Sequence, residues 1–239
     1  MEENIGNGKA LAELPSSYMK WRASRLGRTT DALEQGLIVG LVGPVAGLNV
    51  LDVGCGDGQL GALLARAGAK VSAIDPDARM LDAARRNFAT AGVSVALDRG
   101  SVEALPYQID SFDIVLAVTL LCLVRDPQAA IIQMARVLKP GGRLVLGELG
   151  RRSLWAAWRR FRGRLGHLTW RSARFFTEAD LREFAKASGL TVQTIRAAIF
   201  YPPVGWMATA LAPVDLWLGK RFVSGGAFLV LVATKADAQ

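Results

Sequence analysis

The chain of 239 residues has a single histidine, His167, and two cysteines, Cys55 and Cys122. This inventory excludes a cysteine-rich zinc site, a multi-histidine iron site and a Cys-Cys-His deaminase centre, each of which needs three or four such ligands. No metal is expected. A long uninterrupted apolar run is also lacking. The nearest approach to a membrane span, residues 197–219, contains Pro202, Pro203, Pro213 and Asp215 and is expected to break as a single helix. The opening residues MEENIGNGKA lack the basic and apolar regions of a signal peptide, so a soluble cytoplasmic protein is expected. Acid is missing from one segment. Residues 151–174, RRSLWAAWRRFRGRLGHLTWRSAR, hold eight arginines and no Asp or Glu, which equals the net charge of +8 carried by the whole chain. Such a patch suits RNA, a lid over an anionic ligand, or an anionic membrane surface.

What is present describes a globular α/β chain. Hydrophobic residues make up 51% and charged residues 21%, enough for one domain with extra segments. Strand patterns at 49–54, 70–75, 93–98, 111–118 and 143–149 alternate with helical patterns at 59–68, 78–92 and 126–138. Alternation at these lengths implies a parallel sheet with helices on both faces. After Leu149 the rhythm breaks, a helix follows at 177–189, and two late strands are expected at 190–200 and 225–235. Residues 1–45 read as a helical N-terminal extension or cap. Residues 46–239 form the remaining domain, with inserts at about 151–176 and 201–225.

The stretch VLDVGCGDGQL, residues 50–60, joins a buried strand to a helix through glycines at 54, 56 and 58. Such a junction offers backbone N–H groups and the positive end of a helix dipole. Gly56, Gly58 and Gly61 satisfy G-x-G-x-x-G, a weak match in a chain with 25 glycines. Asp75 ends the second strand, where a carboxylate accepts hydrogen bonds from ribose hydroxyls in any nucleotide reading. Asp52 discriminates better, because it puts a charge inside the first strand, which is normally apolar in dinucleotide-binding folds.

VLDVGCGDGQL, VSAIDPDARMLDAAR, GSVEALPYQIDSFDIVLAV and ARVLKPGGRLVL occur in this order, and together they resemble class I S-adenosylmethionine-dependent methyltransferases of the methyltransferase-11 type over roughly residues 45–150. YMKWRASRLG, LCLVRDP and SLWAAW resemble a smaller bacterial subgroup of them. The resemblance implies a doubly wound, mostly parallel seven-stranded Rossmann-like sheet, with the N-terminal extension and with inserts after strands 5 and 6. It also implies S-adenosylmethionine as cofactor and S-adenosylhomocysteine as product. Gly54 and Gly56 would then approach the ligand through backbone, and Asp52 would orient the loop and the ligand ammonium. Asp75 would take the ribose, with Pro76 beside it and Met80 packed near the adenosine. Ser101 stands where the family usually has Asp facing the adenine amine. Val102 would offer its N–H, and Val118 its carbonyl.

No constellation identifies a catalytic base; the candidates are Glu148, at the end of the fifth strand, and His167. Asp113 reads as a support for strand and loop, and Cys55 as a packing residue. Tyr18, Trp21, Arg151, Arg152 and Trp155 are candidates for a lid or for substrate contact. Trp155, Trp158, Phe161 and Leu165 are expected on one helical face. Trp155, Trp158, Phe200, Trp206 and Trp217 lie in the two inserts, which favours a small, partly apolar methyl acceptor. The alternatives are an RNA-directed methyltransferase using residues 151–174, a non-catalytic S-adenosylmethionine-binding protein and, last, an NAD-dependent oxidoreductase.

Overall fold

The structure, a computed structural model, describes residues 21–237. The chain runs through α1 (Arg25–Val42), β1 (Asn49–Val53), α2 (Gln59–Arg66), β2 (Lys70–Asp75), α3 (Ala78–Ala91) and β3 (Ala96–Arg99). A 3-10 turn (Val102–Ala104) leads to β4 (Phe112–Val118), α4 (Pro127–Val137) and β5 (Leu138–Leu149). Then follow α5 (Leu154–Arg164), α6 (Leu168–Ser172), α7 (Glu178–Ala187), β6 (Leu190–Ala198), α8 (Gly205–Arg221) and β7 (Phe228–Lys235).

The strands form one seven-stranded sheet in the order β3-β2-β1-β4-β5-β7-β6, as expected for a doubly wound fold. β1 pairs in parallel with both β2 and β4, and the β2–β3 and β4–β5 pairs are parallel too. The chain builds outward from β1 to β3 and then returns to place β4 on the other side of β1. The strand order therefore reverses between β1 and β4, and a crevice opens at their C-terminal ends. Val50, Leu51, Val53 and Ile114–Ala117 are fully buried, so these central strands are apolar on both faces. Asp52 is the exception within β1.

Three features differ from the sequence reading. β3 starts at Ala96 rather than at 93, because Gly92 closes α3 in the left-handed region (φ 67°) and Val93 donates its N–H to Phe88 O. Val93 and Val95 instead pack on Ala62, Ala84 and Phe88. α4 stops at Val137, before KPGG, which enters β5 as an irregularity between the Phe112–Leu138 and Ile114–Arg143 pairs. Residues 205–221 form one helix with Pro213 inside it. Proline there leaves the carbonyl of Thr209 without its helical donor, but Thr209 and Pro213 both lie on the exposed side, open to solvent. Among the described residues no helix is long and apolar enough to cross a membrane.

The chain divides into two compact units. The first holds the described part of residues 1–37 with Leu149–Glu178 and Arg196–Leu229; the second holds Ile38–Glu148, Ala179–Ile195 and the described part of Val230–Gln239.

Candidate active site

In the second unit, the crevice at the ends of β1, β2 and β4 collects the carboxylates and glycines singled out above. Gly54 (φ 69°), Gly56 (φ 55°) and Gly58 (φ 75°) all take left-handed backbone, which disfavours any side chain. They differ in what surrounds them. A Cβ on Gly56 would meet nothing within 4 Å, so this glycine leaves open space, whereas one on Gly58 would come within 2.6 Å of Phe88 Cζ. Gly58 is thus a packing glycine, letting the start of α2 lie against α3. A Cβ on Gly54 would fall 2.9 Å from Leu120 Cδ1.

Two acids set the electrostatics. Asp52 is 3% exposed, and its Oδ2 is buried with no hydrogen-bond partner. Burial, reinforced by the neighbouring charges of Asp75 and Asp57, pushes its carboxyl up to about 7. Asp75 fastens the loop: its Oδ2 accepts from Gly56 N–H at 3.0 Å and its Oδ1 from Asp77 N–H at 2.9 Å. Burial raises its carboxyl as well, against the pull of those two N–H groups. Burial, with the neighbouring charges of Asp52 and Asp75, also drives the Cys55 thiol far up.

The remaining second-unit candidates have these surroundings. Ser101 is the N-cap of the 3-10 turn, with its Oγ accepting from Glu103 N–H at 3.3 Å. Val102 is buried, Met80 is half-buried near the start of α3, and Pro76 is exposed, its carbonyl accepting from Arg99 Nε at 3.3 Å. Val118 ends β4 opposite Gly147, and Thr119 beyond it takes φ 51°. Glu148 is fully buried, and its Oε1 accepts from Leu121 N–H at 2.6 Å, tying the end of β5 to the loop after β4. Asp113 behaves as the support expected of it, accepting from Asn49 N–H at 2.8 Å and from Lys139 Nζ at 2.7 Å. Among the described residues no group of three His, Cys, Asp or Glu could hold a metal ion.

The first unit gathers a different set. Tyr18 lies outside the described residues. Trp155 is 4% exposed; its indole N–H donates to Tyr201 O at 2.8 Å, and its ring meets Trp21 and Tyr201 edge-on at 6.5 and 6.4 Å. Arg159 lies over the Trp155 ring at 5.0 Å. The expected common face of Trp155, Trp158, Phe161 and Leu165 is split: Trp155 turns into the unit, while Trp158, Phe161 and Leu165 are 49%, 51% and 71% exposed. The first step along α5 already turns by about 60°, enough to carry Trp158 off the packed side. Arg151 and Arg152 are exposed. His167 has a buried Nδ1 without a hydrogen-bond partner, and burial with the nearby Arg162 charge lowers its pKa.

Three residues here carried no motif. Thr30 Oγ1 and the Tyr201 hydroxyl are 3.0 Å apart and buried. Burial pushes Glu34 up to about 7 against the opposing charges of Arg159 and Arg22, with Asp31 adding to the rise. Thr30 and Glu34 precede the buried Ile38 at steps of four in α1. Polar residues on the apolar stripe of an amphipathic helix were the available signal.

Comparison with known proteins bears on the crevice first. A family model described as a methyltransferase domain matches residues 51–146, which run from β1 into β5. An uncharacterized protein of Mycobacterium tuberculosis is 33% identical over 218 residues, covering 91% of this chain and 70% of that protein. A ubiquinone biosynthesis O-methyltransferase of Methylocella silvestris is 39% identical over 108 residues, 45% of this chain and 42% of that enzyme. The crystal structure of an S-adenosylmethionine-dependent methyltransferase from Thermotoga maritima has the same fold. It superposes with a TM-score of 0.72 at 24% identity, covering 95% of this chain and 98% of that one.

Proposed function

Because the chain belongs to the class I S-adenosylmethionine-dependent methyltransferases, we propose that it methylates a small, partly apolar acceptor, with the cofactor held in the β1–β2–β4 crevice of the second unit. The observation that carries the placement is Asp52: a buried carboxylate oxygen without a partner, beside an open left-handed Gly56. A buried acceptor of this kind calls for a cationic donor, and the cofactor's ammonium is one. Asp75 fits the ribose. A carboxylate has about four acceptor directions, and its two backbone bonds leave room for two hydroxyls. Ser101, already bound to Glu103 N–H, helps set the shape of the adenine end, with the Val102 N–H and Met80 beside it.

Bound S-adenosylmethionine supplies an electrophilic methyl group on a sulfonium. The chain's own contribution is then chiefly alignment and a dry surround. Glu148 serves by fixing Leu121 and the loop after β4, and Val118 by presenting its carbonyl at the end of that strand. The acceptor class is supported by composition, namely the aromatic residues of the two inserts. The ubiquinone enzyme's likeness spans only 108 residues, so its acceptor is not carried over. An RNA acceptor is the second reading, favoured by the arginines of residues 151–174.

Calorimetry with S-adenosylhomocysteine and NAD, followed by transfer of labelled methyl from S-adenosylmethionine to panels of small aromatic acceptors and structured RNAs, tests the proposal. Binding of S-adenosylhomocysteine alone, with label on a small acceptor, is expected. Label on RNA only would replace the acceptor reading, and cofactor binding without transfer to either panel would favour the non-catalytic alternative.

A further inference from the structure

Two helices of the first unit each carry a second apolar face turned to solvent, and we propose that these faces dock the protein on an anionic lipid surface. In α5 the exposed apolar residues are Leu154 (60%), Trp158, Phe161 and, just past the helix, Leu165. Their spacing of four, three and four keeps them within an arc of about 60°. Trp155, Ala156 and Gly163 occupy the opposite, packed side. The Trp158 and Phe161 rings stack at 6.0 Å, which holds them together as one outward patch. Arg160, Arg162 and Arg164 are exposed and flank the stripe without interrupting it.

α8 repeats the arrangement. Trp206 (68%), Val214 (48%) and Trp217 (58%) are exposed along one side, while Ala208, Asp215 and Gly219 are buried on the other. Lys220 and Arg221 close its last turn, and its one acid, Asp215, faces inward. Both helices are fixed to the same short stretch, residues 199–201. Trp155 donates to Tyr201 O, and the Asp215 carboxylate accepts from Ile199 N–H and Phe200 N–H at 2.7 and 2.6 Å. The stripes are therefore rigid features of a packed unit.

Composition selects the occupant. Tryptophan with aliphatic residues on an outward stripe, flanked by arginines, suits the boundary between headgroups and acyl chains, where apolar burial and attraction to anionic lipid add. Leu154, Leu165 and Val214 gain nothing from nucleobases or phosphates, which disfavours RNA as the reason for the stripe. A second copy is disfavoured by charge, since apposed α5 helices would bring two acid-free arginine segments together.

The test is co-sedimentation of the full-length chain with phosphatidylcholine vesicles containing about 30% phosphatidylglycerol, with pure phosphatidylcholine vesicles as comparison. Binding to the anionic vesicles, weakened by salt, is expected. Trp158→Ser with Phe161→Ser should lower the partition coefficient about tenfold or more, as should Arg160→Gln, Arg162→Gln and Arg164→Gln together. All these side chains are exposed, so melting temperature and S-adenosylhomocysteine affinity should stay as in the parent. Absence of vesicle binding overturns the proposal, and so does vesicle binding indifferent to the aromatic pair. Structured RNA bound in place of vesicles, or a stable dimer in light scattering that vesicles do not dissociate, would also overturn it.

Discussion

Asp52 sits one residue before the C-terminal end of β1, where the crevice opens, with one oxygen unpaired, and its charge is opposed by burial and by Asp75 and Asp57. With a carboxyl pushed up to about 7, much of the empty site is protonated at pH 6, whereas pairing with a cofactor ammonium needs the ionised form. Binding of S-adenosylhomocysteine should therefore tighten by about tenfold from pH 6 to pH 8, and Asp52→Asn should flatten that dependence. Calorimetry at the two pH values reads it; a pH-independent dissociation constant in the parent chain would place the ammonium elsewhere. Gly58 is the second residue with a sharp consequence. A Cβ there meets Phe88 at 2.6 Å and the backbone holds φ at 75°, so Gly58→Ala should cost about 2–4 kcal/mol of stability. Chemical denaturation of the variant measures it.

At the scale of elements, the turn from β6 to α8 is the most constrained joint. Ile199 takes φ 67°, a left-handed backbone that a β-branched residue resists, yet its side chain is buried. Asp215, one and a half turns from the end of α8, holds this conformation by accepting from Ile199 N–H and Phe200 N–H. Asp215→Ala would leave two amides at this joint without that acceptor, and a loss of about 2–4 kcal/mol is expected. Asp215→Asn keeps one acceptor oxygen and should lose less. Thermal unfolding of the two variants orders them, and equal melting temperatures would show that the joint does not depend on the carboxylate.

At the scale of the whole molecule, each unit carries an acid raised to about 7, Glu34 in the first and Asp52 in the second. A folded-state pKa above the unfolded one means that the native chain holds the proton more tightly. The resulting stability is full below about pH 4 and is lost as pH rises through 7. Asp75 and Asp215 shift in the same direction. The melting temperature of the ligand-free chain at fixed ionic strength should accordingly fall between pH 5 and pH 8. Glu34→Gln combined with Asp52→Asn should reduce that fall, which a thermal-shift series would show.

The sequence by itself determined the strand and helix alternation, and its resemblance to a known family implied the doubly wound order and the cofactor class. The alternation follows from local patterns: apolar strands, glycines next to strand ends, and helices ended by Gly92 or begun at Asp77 and Asp126. The sequence also placed the arginines of residues 151–174 together, because charge is additive along a chain. Only the tertiary structure decided which oxygen of Asp52 stays unpaired, that Gly58 packs against Phe88, and that Trp155 turns inward while Trp158 turns out. Glu34, Thr30 and Tyr201 came together in the same way, from segments about 170 residues apart. Periodicity gives the angle between two side chains of a helix. Which of those directions is covered depends on partners brought from elsewhere in the chain, and no local pattern encodes them.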